Sequence, residues 1–452
     1  MGLNNIEKKS VGYNILKVWV KFWHNKIYYR NYTILGTENI PANKPIIFTV
    51  IHQNALMDAL ALLFSIKKQL VFIARADIFK KPAIANILYF LKILPIYRVK
   101  DGFNTVKKNQ DTILKTVDIM TSGNAIVILP EGSHAGLRRL RPLKKGFAHM
   151  AFQAEEVNNF SLDVHIVPVG LDYENYHNVR SSLIVNFGEP IAVKEYIELY
   201  KENSAIAINE IKQRLSEHIK PLIVNIESEN NYNLYNELRD IYRSRMARIL
   251  RIDTTDEKNR IYIDQQLIER VSNYEKQNPG RFEDHQQTVN RFIKLRDKFG
   301  FNNRIVDQRG LSILNLICSS ITLIATLPMF IYGVINNFLS FWIPLRISKS
   351  IKDPHFKSSI KFVISFLSFP VFYIIQSLAV LVIFNDWGIV LVYFLSLPIS
   401  ASFAWCWYNT FKMIKTGWNY SRLSYGKNDN FFEMLKLYDE IIMLADNIMS
   451  KN

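Results

Sequence analysis

The chain has 452 residues, too many for one ordinary domain, and its Lys plus Arg outnumber its Asp plus Glu by 56 to 40, a formal charge of +16. That balance asks for an anionic partner. With 49% hydrophobic and 13% aromatic residues, a membrane surface or a phosphate-bearing substrate fits it and a nucleic acid does not. Only two cysteines occur, Cys318 and Cys406, both inside apolar stretches, which excludes a disulfide framework and a cysteine-rich metal site.

At the N-terminus, Lys17 and Lys21 interrupt the apolar residues, so no cleaved signal peptide is expected and the first domain is expected in the cytoplasm. Val11, Ile15, Val18, Trp19 and Phe22 recur at helical spacing across residues 11–23. An interfacial helix lying on a membrane (residues 1–26) and an ordinary core-facing helix both fit this pattern.

From 27 to 195, short apolar runs alternate with helix-like stretches. The runs are 46–51, 69–74, 93–98, 125–130, 164–171 and 183–188; the helical stretches lie near 55–66, 83–91, 104–121 and 145–157. Continuous β-rich runs separated by helices predict an α/β domain whose mostly parallel sheet is buried on both faces. Residues 196–308 are charged and helical in pattern, which predicts a helical extension or a solvated bundle.

Beyond Arg309 the pattern becomes that of a membrane region, 309–411. No charged residue occurs from 311 to 345, and the apolar stretches 362–384 and 387–411 are each long enough to span a bilayer. Arg346, Lys349, Lys352, Lys357 and Lys361 crowd the segment after the first stretch, and Lys412, Lys415 and Arg422 follow the last. Both segments are therefore expected on the cytoplasmic side, with Asn385-Asp386 outside and 412–452 a cytoplasmic helix or tail. A single crossing by 311–345 would put five positive charges outside, so a re-entrant or two-segment hairpin is expected there, broken at Pro328 or at Asn336-Asn337.

Three polar clusters close predicted strands, where open α/β sheets place their ligand crevice. They are His52 to Asp58, Arg98, and Pro130-Glu131-Gly132-Ser133-His134; Arg138, Arg139, Arg141, Lys144, Lys145 and Gly146 follow the last. A neutral imidazole suits the removal of a proton from an alcohol, and a carboxylate on its other nitrogen fixes the tautomer. Asp58 is six residues from His52, off-face in a continuous helix, so the pairing requires His52 in the turn before the helix. For a lone His/Asp pair, a satisfied structural histidine is the competing reading. Arg98, Arg139, Lys144 and Lys145 suit a phosphomonoester; for Arg138, Arg139 and Arg141 a solvated or membrane-facing basic surface fits equally. Glu131-Gly132 reads as a tight loop that meets the substrate or as a structural turn. His134, His149 and His165 match no zinc spacing.

Together these residues resemble the phospholipid/glycerol acyltransferase superfamily, which includes glycerol-3-phosphate and lysophosphatidic acid acyltransferases. IHQNALMDAL is similar to its His-x4-Asp motif with one extra intervening residue, a departure resembling a branch that acylates glycerol phosphate or dihydroxyacetone phosphate. The second motif is matched at Arg98, with Leu91 in place of its Gly. Leu129 to Ser133, with Lys144-Lys145-Gly146 behind, resembles the third, and Val167-Pro168-Val169 the fourth. The resemblance covers about residues 24–195.

It implies an α/β acyltransferase domain followed by a helical region and C-terminal transmembrane helices. It implies His52 as general base and Asp58 as its orienting partner. It also implies Arg98, Glu131, Gly132, Ser133 and Lys144 or Lys145 around the glycerol phosphate. The donor would be acyl-CoA or acyl carrier protein, with no metal or prosthetic group. The expected activity is O-acyl transfer to glycerol-3-phosphate or dihydroxyacetone phosphate in phospholipid biosynthesis. Another lysolipid acceptor such as lysophosphatidate, or a non-catalytic lipid-binding scaffold, is the alternative.

Overall fold

Five-residue runs such as Ile46–Val50, buried at every position, can only be interior strands, because an edge strand or a one-sided sheet would leave alternate residues in water. In the computed structural model, which describes residues 6–97 and 105–450 apart from the side chains of 105–108 and 281, these runs form one sheet. Arg98 lies outside the described residues.

Two compact units divide the chain: one runs to Asn225 and takes in Ile351–Ser359, and the other comprises Ile226–Ser350 and Ile360–Asn452. The first unit holds α1 (Val11–Phe22), β1 (Asn31–Leu35), β2 (Ile46–Val50), α2 (Leu56–Ser65), β3 (Leu70–Arg75), α3 (Pro82–Phe90), β4 (Ile93–Ile96), α4 (Thr105–Thr121) and β5 (Ala125–Ile128). After these come α5 (Gly146–Val157), β6 (His165–Tyr173), β7 (Ser182–Phe187), β8 (Ile191–Ala192), α6 (Ile197–Glu202) and α7 (Ser204–Ile219).

Strand order is β1-β7-β6-β2-β5-β3-β4, with β8 on β6. Pairing is parallel except where β6 meets β7 and β8. Pro95, which lacks an N–H for the ladder, sits in β4 at the sheet's edge, where such a residue is tolerated. The predicted strands and helices of residues 46–188 are all present. The unit continues past the expected boundary at 195, because α7 buries Ala207, Ile208, Ile211, Leu215 and Ile219 on one face. In α1 the residues at helical spacing are exposed, Val11 by 77% and Val18 by 69%, so that apolar stripe is not a core face.

The second unit is helical: α8 (Tyr232–Leu250), α9 (Asn259–Gln277), α10 (Pro279–Phe299), α11 (Asn303–Asp307), α12 (Ile313–Ala325), α13 (Leu327–Lys349), α14 (Lys357–Phe384), α15 (Trp387–Tyr425) and α16 (Asp429–Ser450). Among the described residues, three helices are long and apolar enough to cross a membrane, Leu327–Lys349, Pro354–Phe384 and Trp387–Tyr425. The stretch 311–345 breaks at Thr326, beside Pro328 in the first turn of α13, whereas Asn336 and Asn337 lie within α13. Asn337 Nδ2 donates to Gly333 O (2.9 Å) and Ser400 Oγ (3.2 Å), and its Oδ1 accepts from Tyr373 OH (2.8 Å). With its side chain satisfied from neighbouring helices, it leaves the backbone ladder intact. The C-terminal segment is a packed helix, since α16 buries Phe431, Met434, Tyr438, Ile441 and Ile448.

Candidate active site

β2, β5 and β6 are neighbours and mutually parallel through β2, so their C-terminal ends open on one crevice. β2 delivers His52, β5 delivers Glu131, and β6 ends on Asp172 and Tyr173.

The turn after β2 brings His52 back onto the first turn of α2. Ala55 carries the reversal with φ 46°, a left-handed backbone that costs an alanine on the order of 1–3 kcal/mol and persists only where surroundings impose it. Here the imposing group is Asp58. Its Oδ2 accepts from the amides of Gln53 (2.8 Å) and Asn54 (2.7 Å) and lies 2.9 Å from His52 Nδ1; its Oδ1 accepts from Tyr173 OH (2.7 Å). A carboxylate with no exposed surface and four such partners is held in one orientation. Burial, then the charge of Asp58, drive the Tyr173 phenol well above its ordinary range, so it remains a donor. His52 keeps 18% of its side chain exposed, and among the described residues no hydrogen bond is made to its Nε2.

Glu131 locks the other side of this turn. Its Oε2 accepts from His52 N (2.6 Å) and its Oε1 from Arg141 N (2.8 Å). Burial raises its carboxyl above the ordinary value, and the Arg141 and His52 amides and the Arg141 guanidinium pull against that rise. Arg141 Nη2 reaches His52 O (3.2 Å) and Glu131 Oε2 (3.4 Å), and Nη1 reaches Ser133 Oγ (2.8 Å). The Glu131 carboxylate is therefore engaged within the protein, between the strands that carry it and His52. Gly132 turns the chain at φ 72°, a conformation that favours glycine.

Lys144 and Lys145 are exposed, and Lys144 N donates to Pro130 O (2.7 Å), which fixes this loop behind Gly132. The three arginines separate. Arg138 is only 5% exposed and points inward, onto Asp172 Oδ1 and the carbonyls of Tyr173 and Glu174, so it is not part of a solvated surface. Arg141 joins the His52 turn, and Arg139 is half-buried. His134 lies beside His52, with ring centroids 5.2 Å apart, while His149 and His165 lie on α5 and at the start of β6. Among the described residues no cluster of His, Cys, Asp or Glu is arranged to hold a metal ion. Tyr173, Arg141 and His134 join the site without a local sequence signal for their roles.

This arrangement can hold an imidazole in one tautomer beside a crevice and remove a proton from a hydroxyl. Residues 31–172 match the family model described as Acyltransferase. The chain is similar to glycerol-3-phosphate O-acyltransferase 1 of Saccharomyces cerevisiae (strain ATCC 204508 / S288c), 29% identical over 144 residues, covering 31% of this chain and 19% of that one. It is also similar to glycerol-3-phosphate O-acyltransferase 2 of the same yeast, 25% identical over 142 residues with the same coverage of 31% and 19%. The chain thus aligns with about a fifth of the length of these relatives. A solved structure, the 1-acyl-sn-glycerophosphate (LPA) acyltransferase PlsC from Thermotoga maritima, matches with 17% identity over 48% of this chain and 78% of that one, at a TM-score of 0.30. Over residues 31–172, then, this chain is similar to the Acyltransferase family.

Proposed function

We propose that the chain transfers a fatty acyl group from acyl-CoA or acyl carrier protein to a hydroxyl of glycerol-3-phosphate, or of dihydroxyacetone phosphate, in glycerophospholipid synthesis. The observation that carries this reading is His52, held through Nδ1 by buried Asp58 with Nε2 left for a substrate. The names of the yeast relatives, both glycerol-3-phosphate O-acyltransferases, support the acceptor class.

In the reaction, Nε2 of His52 takes the hydroxyl proton as the oxygen attacks the thioester carbonyl. The C–S bond then breaks and the departing thiolate takes the proton back from the imidazolium, so the enzyme ends as it began. Asp58 stabilises the imidazolium between these steps. Arg98, Ser133, Lys144 and Lys145 serve the acceptor phosphate, with the backbone at Gly132; Glu131 contributes by fixing the loop to the His52 turn. No metal or prosthetic group is called on.

The catalytic unit faces the cytoplasm. Ile351–Ser359 belong to the same compact unit as the domain, so the chain between Asn225 and Ile351 crosses a bilayer an even number of times. That favours a two-segment hairpin of α12 and α13, and the lysines in and around 351–359 support the cytoplasmic side.

The test is acyl transfer by purified, detergent-solubilised full-length protein. Glycerol-3-phosphate, dihydroxyacetone phosphate and lysophosphatidate are offered in parallel, each with acyl-CoA and with acyl carrier protein. Product from a glycerol-phosphate acceptor supports the reading, product from lysophosphatidate alone moves the assignment, and product from none overturns it.

A further inference from the structure

Within the first unit, the segment Ile351–Ser359, which joins α13 to α14 in the sequence, is built into the catalytic turn. Ser359 Oγ accepts from Leu56 N (3.2 Å), the first residue of α2. Ser358 O accepts from Tyr28 OH (3.2 Å), and Ser358 Oγ donates to Tyr176 O (2.6 Å). Gly136 passes so close to His355 that a Cβ there would lie 2.4 Å from Nδ1. Asp353 Oδ2 lies 3.1 Å from His134 Nε2, while its Oδ1 accepts from His355 N (2.9 Å). His134 is packed edge-on between His52, at 5.2 Å and 78°, and Phe356, at 4.7 Å and 89°. Two histidine–carboxylate pairs, His52–Asp58 and His134–Asp353, thus face one another, each histidine partly open at 18% and 14% exposure.

We propose that Asp353, from the linker between two membrane-length helices, is a positioning residue of the active site that sets His134 to contact the acyl acceptor beside His52. The inference rests on the glycerol-phosphate reading above. A carboxylate accepting from Nε2–H fixes which nitrogen carries the proton and leaves Nδ1 for the ligand, the same device that Asp58 applies to His52. The linker segment is therefore part of the active site rather than a connection past it.

Asp353→Asn separates this from a structural role. The amide oxygen still accepts from His355 N, so the turn survives, but Nδ2 donates where a carboxylate accepted, and His134 must change tautomer. Full-length wild-type, Asp353→Asn, His134→Gln, double-variant and His52→Ala proteins are titrated with glycerol 3-phosphate by calorimetry, and the active ones are assayed with a long-chain acyl-CoA. We expect acceptor Kd and KM to rise about ten-fold in each single variant, with the donor KM unchanged and no further rise in the double variant. His52→Ala should lose turnover, since it removes the base itself. Removing a negative charge beside an anion site would by itself tighten binding, so the sign of the change discriminates. Unchanged or tighter binding in Asp353→Asn, additive losses in the double variant, or a donor KM rising in step overturns the inference alone. Failure of the wild-type protein to bind glycerol 3-phosphate overturns it together with the reading beneath it.

Discussion

His52 and Asp58 are six residues apart in sequence, and their side chains meet at 2.9 Å because the chain doubles back between them. The same Asp58 oxygen collects the amides of Gln53 and Asn54, so one carboxylate both shapes the turn and orients the ring. Asp58→Asn should therefore cost more than a charge: one amide face becomes a donor aimed at donors. kcat should fall on the order of 10³-fold, and thermal stability should drop by roughly 2 kcal/mol. Steady-state kinetics beside a melting curve checks both.

Glu131 and the His52 turn form a second such coupling. Glu131→Gln replaces one acceptor oxygen with an NH₂ group facing either the His52 or the Arg141 amide, leaving a buried N–H without its partner. Destabilisation of about 1–3 kcal/mol is expected, read by denaturant unfolding of the detergent-solubilised protein, together with a loss of kcat as the His52 backbone shifts.

Arg138 belongs to the core and not to the substrate. Its guanidinium sits on Asp172, with both side chains over nine-tenths buried, and its Cζ lies 5.6 Å from the Tyr176 ring centroid. Arg138→Met takes a buried guanidinium away from the buried Asp172 carboxylate and should cost about 3–5 kcal/mol, with the acceptor KM of whatever protein remains folded unchanged. Arg141→Met should do the reverse, because its side chain is tied to Ser133 and the His52 carbonyl: a smaller stability loss and a larger loss of activity.

His24 makes stability depend on pH. It is buried among Tyr29, Tyr32 and Phe64, and burial lowers its imidazole from 6.5 to about 4. The folded state thus refuses a proton that the unfolded chain accepts. Its contribution is complete above the ordinary value and is lost progressively as pH falls from 6.5 toward 4, reaching roughly 3 kcal/mol. Unfolding midpoints of wild-type protein and His24→Phe, compared at pH 7.5 and pH 4.5, should converge for the variant and separate for the wild type.

The central strands were legible because a strand buried on both faces must be written almost wholly in apolar residues, as Ile46–Val50 and Ala125–Ile128 are. Asn31–Leu35 escaped that reading: it is half-buried, short and mixed, and takes its strand form from pairing with Ser182–Phe187. The return of Asp58 onto His52 was legible as a requirement of spacing. Tyr173 was not, because it reaches Asp58 from 115 residues away and looks like any strand aromatic. Arg138, Arg139 and Arg141 could not be sorted by sequence, since only the strand ends decide which faces Asp172 and which faces Glu131. The pairing of His134 with Asp353, 219 residues apart, has no local trace at all.

The measurement that tests the account most directly is acyl transfer from labelled long-chain acyl-CoA, or acyl carrier protein, to glycerol-3-phosphate by wild-type and His52→Ala proteins purified in parallel. Product is expected from the wild type, with a loss of at least about 10³-fold in kcat for His52→Ala at unchanged melting temperature. Equal rates from the two proteins would contradict this, because acyl transfer would then proceed without the imidazole around which Asp58, Glu131 and Tyr173 are arranged.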